Sequence, residues 1–333
     1  MTSRRLLLAA LLCTALPLKA QSTTWPNPLI PQRADPQVLR HDGWYYLMAT
    51  VPEYNRLELR RAPSIAALAT AEPQVVWRQH DSGPMSRHIW APELHRLDGR
   101  WFIYFSAAEA GEPWKIRLWV LENTSTDPMQ GEWIERGQIK TQWESFTLDA
   151  TVFEHRGRRY MAWAQTDPAS KNHSTDIYLS RMKSPTELEG PQVKLSQPDY
   201  SWEKVRHSVN EAPAVLIHSG RIFMTYSAAG TGAEYCLGLL WADGNADPLD
   251  AKSWRKSRDP VFTSSAENGI YGPGHNSFTT EPDGQVLNIF HARNYRDIAG
   301  DPLKDRGRAT RVQALGFTAD GMPDFGPPLK ETP

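Results

Sequence analysis

The sequence of 333 residues predicts an all-β protein, a five-bladed β-propeller. Two strand-like runs joined by a glycine turn occur five times, and the turn glycines follow one another at spacings of 56, 58, 63 and 64 residues. Repeats of about 40–50 residues or somewhat more are typical of propellers and solenoids. No long segment has the 3.6-residue apolar period of an amphipathic helix, which favours strands throughout. The turn glycines are Gly43, Gly99, Gly157, Gly220 and Gly284.

Each repeat has the same internal order. A short strand-like run leads to the glycine turn, and an aromatic-rich run follows, for example residues 44–49 and 101–106. Each repeat then continues with further strand-like sequence, and this pattern favours four-stranded blades around an axis. The repeats fill residues 34–320, so we expect 34–333 to form a single domain after an N-terminal arm at 21–33. A β-sandwich or two stacked β domains is the alternative.

Residues 1–20 have the pattern of a secretory signal peptide. Arg4 and Arg5 precede an apolar run at 6–16 and a cleavage-like region at 17–20. The run is too short to span a membrane, so we expect a secreted or periplasmic protein without membrane attachment. After cleavage Cys236 would be the remaining cysteine, which excludes an intramolecular disulfide. The formal net charge of −1 without a basic patch gives no indication of a nucleic-acid partner.

Acidic residues stand at the start of three repeats. In a propeller the innermost strands line the central channel, so we expect the five repeat starts to converge at one end of it. Glycoside hydrolysis requires two carboxyl groups, one to protonate the leaving oxygen and one to activate water or attack the sugar. A third acid could tune the pKa of one of them. For any single acid, a turn or capping role is the alternative. The five repeat starts are Asp35, Ala91, Asp149, Glu211 and His275.

Aromatic residues near the repeat starts are candidate platforms for sugar rings, although each could instead pack in the core. They are Trp90, Trp163, Tyr226 and Tyr271, with Trp90 favoured because residues 88–90 run directly into the second repeat start. His275 could bind an ion on the propeller axis, or be a hydrogen-bonded structural residue. We find no established metal-binding motif, Ser/His/Asp nucleophile motif, phosphate loop or dinucleotide fingerprint.

Eight segments, in this order and spacing, resemble glycoside hydrolase family 43, and within it most closely the exo-acting α-1,5-L-arabinofuranosidases. The resemblance covers about residues 33–325. The segments are ADPQV (34–38), ATVPEY (49–54), HIWAPELH (88–95), LDATVF (148–153), VNEAPAV (209–215), YCLGLL (235–240), YGPGHNSF (271–278) and GDPLKDRGRATRVQ (300–313).

The resemblance implies a five-bladed propeller with the active site at one end of the channel and an inverting mechanism. It assigns Asp35 as general base, Glu211 as general acid and Asp149 as the residue that tunes and orients the acid. It implies no cofactor for the chemistry, but an axial calcium or sodium ion near His275. Together, the motifs and the resemblance predict six substrate-binding residues: His88, Trp90, Trp163, Tyr271, Arg293 and Arg311.

The hypothesis is a secreted enzyme that removes terminal L-arabinofuranose from α-1,5-linked arabino-oligosaccharides or arabinan. A β-xylosidase or an endo-arabinanase on the same scaffold is the alternative enzyme. A sugar-binding propeller without catalysis is the alternative of another class, but all three acids are present. The oligomeric state stays open.

Overall fold

The computed structural model describes residues 25–170 and 175–332, and it confirms the five-bladed propeller. Within these residues the first four blades are four-stranded antiparallel meanders. The first blade contains β1 (Ala34–His41), β2 (Trp44–Thr50), β3 (Arg56–Ala62) and β4 (Gln74–Arg78). The second contains β5 (Arg87–Leu97), β6 (Arg100–Glu109), β7 (Glu112–Asn123) and β8 (Ile134–Gln138).

The remaining blades continue the pattern around the ring. The third contains β9 (Thr147–His155), β10 (Arg158–Thr166), β11 (Thr175–Ser184) and β12 (Glu187–Ser196). The fourth contains β13 (Asn210–His218), β14 (Arg221–Ala228), β15 (Cys236–Asp243) and β16 (Arg255–Lys256). The fifth contains β17 (Tyr271–Thr280), β18 (Val286–Arg293) and β19 (Ala309–Ala314), and a small hairpin follows with β20 (Gly316–Phe317) and β21 (Pro323–Asp324). Short 3₁₀ helices span Ala66–Ala69, Ser201–Lys204 and Ala251–Ser253.

The fifth blade differs from the prediction of four strands, because its sheet has three in the part of the chain described. The N-terminal arm takes the place next to the outermost strand. Ile30 forms an antiparallel bridge with Thr310 of β19. The Asn27 side chain donates to the Val312 carbonyl and accepts from the Val312 N–H. The start of the domain is therefore attached to its last blade, which closes the ring.

The signal peptide predicted for residues 1–20, and the start of the predicted arm, lie outside the described residues. Among the residues described, no helix is long and apolar enough to cross a membrane.

The core lies between neighbouring blades. Ile177 and Leu179 of the third blade share one apolar cluster with Met224 and Leu240 of the fourth, and all four side chains are fully buried. Burial of a side chain of this size stabilises the fold by about 1.5–3 kcal/mol. Cys236 is free and buried, so packing rather than a disulfide stabilises this part of the ring.

The first strands β1, β5, β9, β13 and β17 contact one another in a closed circle around the axis. Near the start of each, a β-bulge places two residues opposite one residue of the second strand. The first bulge residue has a left-handed backbone with φ between 44° and 57° in every blade. This conformation costs a non-glycine residue about 1–3 kcal/mol and persists only where the surroundings impose it. The left-handed residues are Asp35, Ala91, Asp149, Ala212 and His275.

The bulges correct one predicted equivalence. Glu211 was expected at the same position as Asp35 and Asp149, but the residue at that position is Ala212, and Glu211 lies one place earlier. Successive side chains of a strand point in opposite directions. Glu211 therefore approaches the channel end from a different direction than the two aspartates.

Candidate active site

A cavity of about 660 Å³ opens at the bulge end of the channel. Asp35, Asp149 and Glu211 all line it, together with His275. The remaining wall comes from loops of the second to fifth blades, including residues 206–209, 229–231 and 301–303. The acids that were predicted to converge thus lie in one cavity, although 176 residues separate the first from the last.

Asp35 is surrounded by three nitrogen-bearing side chains. Its Oδ1 atom lies 3.2 Å from His275 Nδ1, 3.3 Å from His291 Nδ1 and 3.4 Å from Arg308 Nη1. Burial of Asp35 opposes ionisation, but the neighbouring His275 and Arg308 outweigh it and hold the pKa of this carboxyl well below its usual range. Asp35 is therefore a carboxylate at neutral pH.

His291 is neutral and fixes the backbone of Asp35. The Asp35 N–H donates to His291 Nδ1 at 3.1 Å, so this nitrogen is the acceptor. Burial lowers the pKa of His291 to about 3. The imidazole thus satisfies the backbone N–H at the strained bulge and fixes the position of the Asp35 backbone.

Asp149 and Glu211 are coupled through the backbone. The N–H of Ala212, next to Glu211, donates to Asp149 Oδ2 at 3.1 Å. Burial and then the neighbouring Glu211 raise the pKa of Asp149 well above its usual range. Burial raises the pKa of Glu211 to about 7. In the same cavity, Asp35 is thus ionised while Glu211 keeps its proton up to about neutral pH.

The Asp149 carboxyl accepts the N–H of Ala212, a role that a neutral side chain has in the other blades. Except for Ala212, each left-handed residue donates its N–H to a side chain on the second strand of the preceding blade. The acceptors are Thr50 for Ala91, Ser106 for Asp149, Ser227 for His275 and His291 for Asp35. The residue in register on β10 is Ala164, which has no side-chain acceptor, so the Ala212 N–H is left to the Asp149 carboxyl.

Tyr235 is the partner that Glu211 has among the side chains of residues 25–170 and 175–332. The Tyr235 hydroxyl donates to Glu211 Oε1 at 2.7 Å. Tyr235 is fully buried and its ring lies parallel to that of His291, with 5.6 Å between centroids. Gly274 leaves the space for this ring, because a Cβ atom there would lie 2.4 Å from it.

Aromatic side chains form one side of the cavity mouth. Trp90 and Trp114 line the cavity, and Trp114 is 60% exposed. The His88 ring stacks on Trp90 at 4.4 Å, and its Nδ1 atom hydrogen-bonds the Pro113 carbonyl. Tyr54 meets Trp90 edge to face on the other side. Trp90 therefore lies where a platform was predicted, whereas His88 supports Trp90 and does not itself line the cavity.

The structure places two other predicted platforms in the core. Trp163 has 0% exposure, packs between the second and third blades and donates its indole N–H to Gln165. Tyr226 is equally buried and donates to Glu203. Neither ring can reach a sugar, because blade packing covers both faces. Tyr271 is partly exposed at the start of β17 but is absent from the cavity lining.

Both arginines predicted to contact substrate also need correction. The Arg293 guanidinium is buried, pairs with Asp305 at 2.7 Å and donates to the Thr231 and Pro302 carbonyls. Arg311 is buried against Glu331 at 2.6 Å. Their charges are neutralised inside the protein, away from the lining. Arg293 nevertheless joins two loops that form the cavity wall.

The axial ion stays a prediction. Within residues 25–170 and 175–332, no group of three or more His, Cys, Asp or Glu is placed to hold a metal. His275 lies on the cavity floor with Nδ1 facing Asp35, and burial lowers its pKa, which favours a neutral ring. Hard cations prefer several oxygen ligands, and the side chains around His275 in the described residues do not supply such a set.

Three site residues were missed, namely Tyr235, Arg308 and His291. The first strand and third strand of a meander run in the same direction, so both begin at the cavity end. Tyr235 immediately precedes β15 and Arg308 immediately precedes β19, and this position was the available signal. His291 lies directly opposite Gly274 in the register of β17 and β18, whereas turn length alone would place it opposite His275, because the bulge shifts the register by one residue.

Comparison with known proteins agrees with this arrangement. The chain is 50% identical over 312 residues to the extracellular exo-α-(1→5)-L-arabinofuranosidase of Streptomyces avermitilis, covering 93% of this chain and 65% of that protein. It is 51% identical over 311 residues to the protein of the same name from Streptomyces chartreusis, covering 90% of this chain and 94% of the relative. The crystal structure of an α-L-arabinofuranosidase from Lactobacillus brevis superimposes with a TM-score of 0.89 at 47% identity, covering 92% of this chain and 98% of that one.

A family model also matches the chain. The family model described as Glycosyl hydrolases family 43 matches residues 25–323, which is nearly the whole of the propeller. The first of the Streptomyces relatives is longer than this chain, which spans 65% of its length. Family model and relatives agree over the segments that carry all three acids, and the chain belongs to glycosyl hydrolases family 43.

Proposed function

We propose that the protein is an exported, inverting exo-α-1,5-L-arabinofuranosidase, which releases terminal L-arabinofuranose from arabino-oligosaccharides or arabinan. The observation that carries the proposal is one cavity with carboxyls of opposite protonation, Asp35 ionised and Glu211 protonated up to about pH 7. Glycoside hydrolysis by inversion requires one protonated carboxyl as general acid and one ionised carboxyl as general base. The two Streptomyces relatives named for this activity and described as extracellular support the substrate and the location.

Glu211 is the proton donor in this mechanism. It gives its proton to the glycosidic oxygen as the bond to the leaving sugar breaks. Asp35 takes a proton from a water molecule that attacks the anomeric carbon from the opposite face. Arg308 and His275 stabilise Asp35 as the carboxylate and His291 fixes its backbone, so the base is ready before substrate binds. General acid or base help of this kind contributes about 10²–10⁴-fold to the rate.

Asp149 positions the acid. Its Oδ2 atom accepts from the N–H of Ala212 and so fixes the backbone beside Glu211. Besides burial, the negative charge that disfavours ionisation of Glu211 comes from Asp35. Asp149 need not touch the reacting bond for its positioning role.

The form of the cavity supports release of a terminal sugar. Loops from four blades line it, including the Trp114 side and the 301–303 side, and together they bound a space of about 660 Å³. A binding site within a cavity suits a chain end, whereas an internal linkage requires a groove open on two sides.

A product assay tests the proposal. Wild-type protein is incubated with linear arabinan, an aryl α-L-arabinofuranoside and an aryl β-D-xyloside, and products are separated by chromatography. Arabinose as the sole early product from arabinan supports the proposal. Early oligosaccharides would indicate an endo-arabinanase, xylose release a β-xylosidase, and binding without turnover a sugar-binding propeller.

A further inference from the structure

Tyr235 is the buried group in direct contact with the proposed proton donor. Its hydroxyl donates to Glu211 Oε1 at 2.7 Å, within the range of a strong hydrogen bond to a carboxyl group. Burial raises the pKa of Tyr235 well above its usual range, so the phenol keeps its proton and remains a donor whatever the state of Glu211.

The surroundings hold Tyr235 in one orientation. Its ring lies parallel to His291, within 6°, and against Gly274, where a methyl group would collide with it. Its backbone N–H donates to the Gly232 carbonyl. His291 in turn accepts the N–H of Asp35. One rigid stack thus connects the hydrogen-bond partner of the acid to the backbone of the base.

We propose that Tyr235 is a positioning residue for the acid, which selects the carboxyl oxygen of Glu211 that delivers the proton. In a neutral carboxyl group the carbonyl oxygen is the stronger acceptor, so a permanent donor at one oxygen favours the proton on the other. Oε1 is therefore the carbonyl oxygen of the neutral acid, and the proton sits on Oε2, available to the leaving sugar. The inference rests on the proposed role of Glu211 and adds which of its atoms reacts and what fixes it.

Other charged groups also face Glu211 and bear on its titration. Asp35 disfavours its ionisation from β1, Arg308 favours it from the start of β19, and Asp149 lies beside it from β9. Tyr235 favours the ionised form, because its hydrogen bond is stronger to a carboxylate than to a neutral acid. Removing the hydroxyl should therefore make Glu211 harder to deprotonate.

The test compares Tyr235→Phe with Tyr104→Phe and wild type. Tyr104 is also fully buried and donates to a backbone carbonyl, that of Pro185, but it has no contact with the cavity. For Tyr235→Phe we expect the alkaline limb of kcat/KM to move up by about 0.5–1 pH unit, the equivalent of one hydrogen bond. We also expect a loss several times larger on arabino-oligosaccharides than on an aryl arabinofuranoside with a good leaving group. Tyr104→Phe should show neither effect.

An unmoved alkaline limb together with equal losses on both substrates would overturn the inference and leave Tyr235 a packing residue. Thermal unfolding of both variants shows whether either loses its fold. Carbon-13 NMR titration of labelled glutamate in wild type and Tyr235→Phe reads the pKa of Glu211 without turnover. If the wild type cleaves no arabinofuranoside, the proposed function fails, whereas the NMR shift still decides whether Tyr235 controls Glu211.

Discussion

Replacing Arg308 with Met tests how the cavity keeps its base ionised. Arg308 Nη1 lies 3.4 Å from Asp35 Oδ1, and both side chains are buried. At this distance and an effective dielectric constant of about 20, the attraction between unit charges is about 5 kcal/mol. Desolvation of the pair offsets part of it, and an Asp beside an Arg typically has its pKa lowered by about 1–3 units. Methionine fills similar space without charge.

The pH dependence of kcat/KM on an aryl arabinofuranoside is the assay. Asp35 must be ionised to act as base, so a raised pKa removes activity from the acidic side of the profile. We expect the acidic limb of Arg308→Met to lie about 1–3 pH units above that of wild type. The alkaline limb, which follows Glu211, should also move upward but by less, because Arg308 favours ionisation of Glu211 as well.

Arg311→Met is the matched control. Arg311 is a buried arginine three residues further along the chain, but its partner is Glu331 and it does not line the cavity. Its acidic limb should coincide with that of wild type. A folded Arg308→Met protein with an unshifted acidic limb would refute the reasoning, since Asp35 would then be ionised without its guanidinium neighbour.

Two further predictions concern the acid and the cavity wall. Glu211→Ala should lose about 10²–10⁴-fold in kcat/KM on arabino-oligosaccharides but far less on an aryl arabinofuranoside, because a good leaving group needs no proton; equal losses on the two substrates would speak against Glu211 as donor. Arg293→Met should raise KM several-fold with an unchanged pH profile, because Arg293 ties the loops of Thr231 and Pro302 without touching the cavity; steady-state kinetics measure this, and an unchanged KM would show that the wall does not depend on Arg293.

The blades and the meeting of the three acids were predictable from sequence, because both depend on the repeat. A glycine turn recurs at regular spacing, and the predicted turn glycines all have φ between 70° and 90°. Once the repeat is recognised, propeller geometry brings Asp35 and Asp149 together without any information about side chains. The three-stranded fifth blade was not predictable in this way, because its outer partner is a bridge from the N-terminal arm.

The register of Glu211 was predictable but was missed. Pro36, Pro92 and Pro213 each occupy the second position of a bulge. Aligning the prolines would have placed Ala212, rather than Glu211, beside Asp35. The error matters because one residue reverses the direction of a strand side chain.

The roles of the arginines and aromatic residues depended on information that motifs do not contain. Arg308 and Arg311 belong to one motif, yet one lies beside Asp35 and the other beside Glu331. Likewise Trp90 and Trp163 were both predicted as platforms near repeat starts, but of the two Trp90 lines the cavity and Trp163 is buried. Which face of a strand meets a neighbouring blade is decided by packing across the ring, so sequence proximity to a repeat start does not identify a substrate contact.

The stereochemistry of the first product tests the central claim most directly. Proton NMR spectra recorded within minutes of adding wild-type protein to an α-1,5-linked arabino-oligosaccharide identify the anomer released before mutarotation. Direct attack by water activated by Asp35, with Glu211 as acid, predicts β-L-arabinofuranose as the initial product. Initial release of the α anomer would contradict the account, because it would require a covalent intermediate and a nucleophile in place of a base.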